Sequence, residues 1–152
     1  MKGENWTVYL SGEIHTNWRD KIANGASNIG IPVIFLSPVA DHASSDNCGV
    51  NILGPEDSDY WKDHKGAKVN AIRTRTMIKK SDIVVVCFGE KYKQWNAAFD
   101  AGFAVAIGKP LITLHDSSLT HPLKEVDGAA LAVAQTPEQV VKLLAYIIHG
   151  SL

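Results

Sequence analysis

The stretch Ile83-Val84-Val85-Val86-Cys87-Phe88 is an unbroken apolar run, rich in β-branched residues. Such a run is typical of a central strand in a parallel sheet, because helices cover both faces of that strand. Shorter apolar runs lie before and after it, and segments with helical periodicity separate them. We predict strands over residues 6–11, 32–36, 83–88, 111–114 and 130–134, and helices over 18–28, 67–80, 94–107 and 137–149. This alternation predicts an α/β fold: a doubly wound, five-stranded parallel sheet in the flavodoxin-like (Rossmann-like) three-layer arrangement.

The last predicted helix has the clearest end signals. Thr136 is placed to cap it, Pro137 suits the first helical position, and Gln139 completes a capping box. Gly150 is suited to end the helix in a left-handed conformation.

The length of 152 residues suits one domain, which we expect to span residues 1–152. One stretch breaks the alternation of strands and helices. Residues 37–66 are polar and rich in Asp, Gly, Ser and Asn, so we expect a long loop there. Loops of this length are usually binding loops or lids.

Composition excludes several classes of partner. Fifteen Lys and Arg against 16 Asp and Glu give a formal net charge of -1, which argues against general nucleic-acid binding. No run reaches the ~18 apolar residues of a membrane span, and the start of the chain lacks the apolar stretch of a signal peptide. We therefore expect a cytoplasmic protein without a membrane partner, and two free thiols at Cys48 and Cys87.

The residues that follow each strand are the candidate site, because ligands of open parallel sheets bind at the carboxyl ends of the strands. The first strand ends in a single Gly12, and neither a G-x-G-x-x-G nor a P-loop pattern is present. NAD chemistry and ATP hydrolysis are therefore disfavoured, and we predict no cofactor. The polar segments after the strands are Ser11 to His15, the 37–66 loop, Gly89 to Asn96, and His115 to Ser118.

The helix 94–107 contains a local conflict. Asp100 and Gly102 are poor helix formers, yet they interrupt an alanine-rich apolar segment. Asn96 and Asp100 are four residues apart and so share a helix face. Asp100 is either a carboxylate nucleophile or a solvated helix residue.

Each of the following features has both a structural and a functional interpretation. Tyr9 shares a strand face with Ser11, and is either a core residue or a group that orients a carboxylate. Basic residues between Lys62 and Lys80, including Arg73 and Arg75, indicate a solvated helix face or a phosphate site. A zinc site would draw on His42, Cys48 and His64 with Asp41 and Asp46, but no metal-ligand spacing supports it, so we predict no metal.

Three segments carry a resemblance to a known family: Val8 to Ile14, Ser81 to Val86, and Asn96 to Ala104 followed by Gly108-Lys109-Pro110. The chain resembles the YtoQ family, which is similar to nucleoside 2-deoxyribosyltransferases and 2′-deoxynucleoside 5′-phosphate N-hydrolases. More specific YtoQ-like runs are Tyr92 to Gly102, Leu123 to Asp127, and residues 37–46. Asp100 falls where these similar enzymes have their catalytic glutamate, whose side chain is one methylene longer than that of aspartate. Their acidic residue on the helix before the third strand falls near Thr74 here.

The resemblance implies cleavage or transfer of the N-glycosidic bond of a nucleoside or nucleoside 5′-monophosphate. Asp100 would be the nucleophile, and Tyr9 would donate to its carboxylate. Residues expected to bind substrate are Ser11, Gly12, Glu13 and Asn96 around the sugar, and His15, Arg19, Lys93 or Ser118 at a 5′-phosphate. The related enzymes complete their sites with a neighbouring subunit, so a homodimer or higher homo-oligomer is expected. The rival interpretation is a non-catalytic nucleotide-binding or sensing module; a flavin binder is disfavoured because no Ser/Thr-rich phosphate loop follows the first strand.

Overall fold

The structure, a computed structural model, describes residues 5–91 and 93–152. Residues 1–4, which the signal-peptide prediction concerns, and Tyr92, which begins one YtoQ-like run, lie outside the described residues. A parallel five-stranded sheet forms the centre, in the order β2-β1-β3-β4-β5. This confirms the predicted flavodoxin-like sheet. The strands are β1 Trp6–Gly12, β2 Val33–Leu36, β3 Ile83–Phe88, β4 Leu111–His115 and β5 Ala132–Ala134.

Helices cover both faces of the sheet. The helices are α1 Trp18–Asn28, α2 His42–Leu53, α3 Asp59–Lys80, α4 Trp95–Ala106, α5 Lys124–Ala129 and α6 Pro137–His149, with a 3-10 turn at Ser117–Leu119. Helices α1 and α6 pack on one face, α3, α4 and α5 on the other, and α2 packs on α3. The predicted capping box and the left-handed Gly150 of α6 are both present. Within the described ranges, no helix combines the length and apolar character that crossing a bilayer requires.

Strand alternation divides the core into two layers. Val8 and Leu10 of β1 face α1 and α6, whereas Tyr9 faces α3 and α4. All of β3 is buried, as predicted for a strand covered on both faces. The alternation therefore directs Tyr9 and Ser11 toward the α3 and α4 side, as the sequence predicted.

The predicted 37–66 loop is wrong, because most of this stretch is helical. Asp41 caps α2 by accepting from the Ser44 backbone N–H at 2.7 Å, and Ser58 caps α3 by accepting from Trp61 at 3.4 Å. A β-carbon added at Gly49 would lie 2.6 Å from the Gly66 backbone nitrogen. The glycines that contributed to the loop prediction instead let the two helices pack in close contact.

Candidate active site

The candidate site lies where the strand order reverses. From β1 the chain crosses to β2 on one side of the sheet, and β3 returns to pair with β1 on the other. Ser11 pairs with Val86 and Gly12 with Cys87, so the ends of β1 and β3 lie side by side. Helix α1 follows β1 and α4 follows β3, which opens a crevice at this point.

Asp100 of α4 reaches the end of β1. The Ser11 hydroxyl donates to Asp100 Oδ2 at 2.6 Å, and Ser11 is fully buried. Burial raises the pKa of the Asp100 carboxyl above its ordinary 3.8, and the hydrogen bond from Ser11 acts in the opposite direction. Among the described residues, Oδ1 has no hydrogen-bond partner. Ser11 therefore holds one of the two carboxylate oxygens.

The predicted hydrogen bond from Tyr9 to Asp100 is wrong. The Tyr9 hydroxyl is buried and has no hydrogen-bond partner among the described residues. Burial raises the pKa of Tyr9 to about 12, and the Thr74 side chain, which approaches without reaching hydrogen-bond geometry, acts against that rise. Ser11 lies two residues nearer the carboxyl edge, about 6–7 Å along the strand, and so reaches the carboxylate first. Tyr9 instead forms the floor beneath the pair.

The turn after β1 is held by backbone geometry. Gly12 has a φ of +108°, and a β-carbon there would lie 2.1 Å from the Cys87 carbonyl oxygen. The Glu13 carboxylate, expected to border the sugar, instead accepts from the Thr16 backbone N–H at 3.0 Å, from the Thr16 hydroxyl and from the His15 backbone N–H. Glu13 therefore shapes its own loop.

Arg19 does not present its guanidinium as the expected phosphate site. Its Nε donates to the Leu10 carbonyl at 3.1 Å, and its terminal nitrogens donate to the Glu13 carbonyl at 2.6 Å and the Gly12 carbonyl at 3.1 Å. Burial lowers the pKa of Arg19, against the opposing effect of Tyr9. Arg19 therefore binds two carbonyls of β1 and that of Glu13, and so fixes the turn.

The remaining predicted substrate-binding residues are exposed. Asn96 lies one turn before Asp100 on α4. The Lys93 ammonium lies 5.8 Å from the centroid of the Trp95 ring. The Ser118 hydroxyl donates to the Glu90 carboxylate at 3.0 Å. His15 is exposed on the turn after β1. The structure thus brings Ser11 and Asp100 into contact, leaves Asn96 one turn away on α4, and places Ser118 beside Glu90, beyond the end of β4.

A buried polar cluster under α5 was missed by the sequence analysis. His115 Nε2 lies 2.8 Å from Asp127 Oδ2, and the Thr113 hydroxyl donates to Oδ1 at 2.8 Å. His115 Nδ1 lies 2.7 Å from the Asp116 carbonyl, which can only accept, so Nδ1 carries a proton. The available signals were the position of His115 at a strand end and the Leu123 to Asp127 run.

The residues weighed as zinc ligands do not converge. His42 Nε2 pairs with Asp46 at 3.1 Å, and His64 contacts the Tyr60 carbonyl at 3.0 Å. The Cys48 thiol lies 3.8 Å from the Gly66 carbonyl. Across the described part of the chain, no three His, Cys, Asp or Glu side chains are grouped as metal ligands.

Comparison with known proteins identifies the family. The family model for nucleoside 2-deoxyribosyltransferase YtoQ matches residues 9–148. The uncharacterized protein YtoQ of Bacillus subtilis (strain 168) is 44% identical over 142 residues, covering 93% of this chain and 96% of that protein.

Two solved structures have the same fold. A conserved protein from Enterococcus faecalis V583 superposes with a TM-score of 0.65 at 13% identity, over 93% of this chain and 98% of that one. The 2-deoxyribosyltransferase of Bacillus psychrosaccharolyticus superposes with a TM-score of 0.56 at 15% identity, over 89% and 90%. With the family model matched over almost its whole length, this chain belongs to the nucleoside 2-deoxyribosyltransferase YtoQ family.

Proposed function

We propose that this chain breaks the N-glycosidic bond of a nucleoside or nucleoside 5′-monophosphate, with Asp100 as the nucleophile. The observation that carries the proposal is the Ser11 to Asp100 hydrogen bond of 2.6 Å at the point where the strand order reverses. The family's name, and the transferase activity of the similarly folded Bacillus psychrosaccharolyticus protein, support the class of reaction.

The proposed reaction has two displacements. Asp100 Oδ1 attacks the anomeric carbon, and the base departs with the glycosidic electron pair and takes up a proton. The sugar is left as an ester of Asp100. Water or a second base then attacks the same carbon and releases the carboxylate. Two inversions give net retention, and the second acceptor decides between hydrolase and transferase.

Electrostatics must keep this carboxylate ionised for attack. Burial favours the protonated form of Asp100, which is not a nucleophile, and the Ser11 hydroxyl favours the ionised form. Ser11 therefore positions the nucleophile and sustains its charge. The sugar is proposed to lie in front of Asp100, with Asn96, Gly12 and the exposed His15 as its neighbours.

An exposed aromatic surface on α4 bears on the quaternary structure. Helix α4 exposes two large aromatic side chains one turn apart, with Trp95 74% and Phe99 65% exposed. Exposed aromatic clusters of this kind favour an interface, so we propose a homodimer in which a second copy covers this surface. Light scattering on the purified chain measures the state directly. The cytoplasmic location is also proposed.

The test is base release from a panel of nucleosides, deoxynucleosides and their 5′-monophosphates. Asp100→Asn removes the nucleophile while preserving size, and is expected to abolish release. Asp20→Asn makes the same change on the exposed face of α1 and is the matched control. Release that is equal in wild type and Asp100→Asn would contradict the mechanism.

A non-catalytic nucleotide-binding module is the second candidate. The Tyr9 hydroxyl makes no hydrogen bond to the carboxylate, which favours this candidate. The resemblance points the same way, since it implies that Asp100 stands where the related enzymes have a longer glutamate. Reactivity is sensitive to displacements of about 1 Å, so a shorter side chain bears directly on rate. Binding of a nucleotide without base release from any panel member would favour this candidate.

A further inference from the structure

Arg73 presents a guanidinium at the mouth of the crevice. It lies on α3, immediately before Thr74, whose side chain approaches the Tyr9 hydroxyl. Its terminal nitrogen makes a long hydrogen bond of 3.5 Å to the carbonyl of Ser37, the residue that follows β2. Arg73 is exposed, and no carboxylate of the described residues pairs with it. Its remaining N–H donors are therefore available to a ligand.

The carboxylates near the site and the guanidinium of Arg73 lie on different sides of it. On the β3 and β4 side, the carboxylates of Glu90 and Asp116 both bond to Ser118. On the α3 side, the exposed charge beside the floor of the site is that of Arg73. The guanidinium of Arg19 is occupied by backbone carbonyls. On the α3 side, an anionic ligand group would therefore meet an exposed guanidinium.

Arg73 on α3 and Asp100 on α4 both affect the pKa of Tyr9, which lies between these helices and the sheet. Asp100 on α4 raises the pKa of Tyr9, and Arg73 on α3 lowers it, although burial has the largest effect. The pKa of Asp100 itself is set by burial and Ser11, so Arg73 is not the ion-pair partner of the nucleophile. Neither group forms an ion pair with the other, so each is free to contact the same ligand.

We propose that Arg73 is a specificity-determining residue that binds an anionic substituent on the sugar, a phosphate monoester, across the crevice from Asp100. A guanidinium suits this task because its planar fork donates two parallel hydrogen bonds to phosphate oxygens. That the ligand is a sugar rests on the proposed function. In this proposal Arg73 on α3 binds the anionic group, in place of Arg19, Lys93 or Ser118.

The experiment measures binding of ribose 5-phosphate and of ribose to the full chain by calorimetry, together with base release from paired nucleosides and 5′-monophosphates. Arg73→Gln removes the guanidinium. Arg75→Gln makes the same change two residues on, about 200° around the helix. Arg75 lies on the outward face with Lys68 and Lys79, so it controls for the loss of one positive charge.

We expect Arg73→Gln to weaken ribose 5-phosphate binding by roughly 10- to 100-fold, the usual effect of losing a charge-assisted pair, and to leave ribose unchanged. We expect less than about a threefold effect from Arg75→Gln, since an exposed charge outside the site is screened. Equal effects of the two variants, or equal wild-type affinity for ribose and ribose 5-phosphate, would overturn the proposal. Arg73-dependent binding without base release from any substrate would overturn the proposed function and leave this inference standing.

Discussion

Ser11→Ala removes the hydroxyl that donates to Asp100 Oδ2 at 2.6 Å. Burial already raises the pKa of this carboxyl, and the variant removes the group that lowers it, so the pKa rises further. A hydrogen bond to a charged group contributes about 1.5–3 kcal/mol, which is roughly 10- to 100-fold in an ionisation equilibrium. Only the ionised form attacks. The acid limb of kcat/KM should therefore move to higher pH in the variant.

The assay is kcat/KM for base release between pH 4 and pH 9. Relative to wild type, Ser11→Ala should lose roughly 10- to 100-fold on the acid limb and much less on the alkaline plateau, where both proteins carry the carboxylate. Ser81→Ala deletes another buried hydroxyl, at the far end of α3, where Ser81 donates to the Met77 carbonyl at 2.8 Å. This control should leave the acid limb in place. A Ser11→Ala profile that falls uniformly at every pH would refute the electrostatic role of Ser11.

Three further variants test the framework of the site by urea unfolding. Arg19→Leu removes the side-chain donor to the Leu10 and Gly12 carbonyls of β1, and one of the two side-chain donors to the Glu13 carbonyl. It should cost about 2 kcal/mol of unfolding free energy, whereas the phosphate role first expected of Arg19 predicts unchanged stability. Gly12→Ala should lower the unfolding free energy by at least about 3 kcal/mol, because its β-carbon would overlap the Cys87 carbonyl. The control is Gly30→Ala, which is also at positive φ but has open space around it, and it should cost about 1 kcal/mol. Similar losses in the two variants would contradict the packing argument. Asp127→Asn breaks the buried pair with His115 and should cost about 3 kcal/mol, a value that a loss below about 1 kcal/mol would refute.

The sheet was predictable because its signals are local. The apolar run of β3 must be buried on both faces, so it indicates a central strand by itself. The capping box of α6 lies within four consecutive residues. The sheet order then followed from the alternation of strands and helices, together with the length of the chain.

The α2 and α3 hairpin was not predictable from local pattern. Helix α2 has little amphipathic character, and Gly49 lowers its helical propensity, as Gly66 lowers that of α3. Its stability comes from contact between those glycines, which are 17 positions apart in the printed sequence. Periodicity within one segment does not report that contact.

The site was partly predictable for a similar reason. Asp100 and Ser11 were identified separately, since each breaks or ends a regular element, and strand alternation placed Tyr9 and Ser11 on one face. Which of the two meets the carboxylate depends on how far α4 extends over the end of β1. That distance is a tertiary property, as is the occupation of Arg19 by backbone carbonyls.

The covalent ester on Asp100 is the central claim, and mass spectrometry of the acid-quenched reaction tests it most directly. Wild-type protein mixed with a reactive nucleoside or nucleoside 5′-monophosphate should gain the mass of the sugar moiety on the peptide that contains Asp100, and Asp100→Asn should gain none. Base release without an adduct on that peptide, or an adduct on Glu13 or Glu90 instead, would contradict the account.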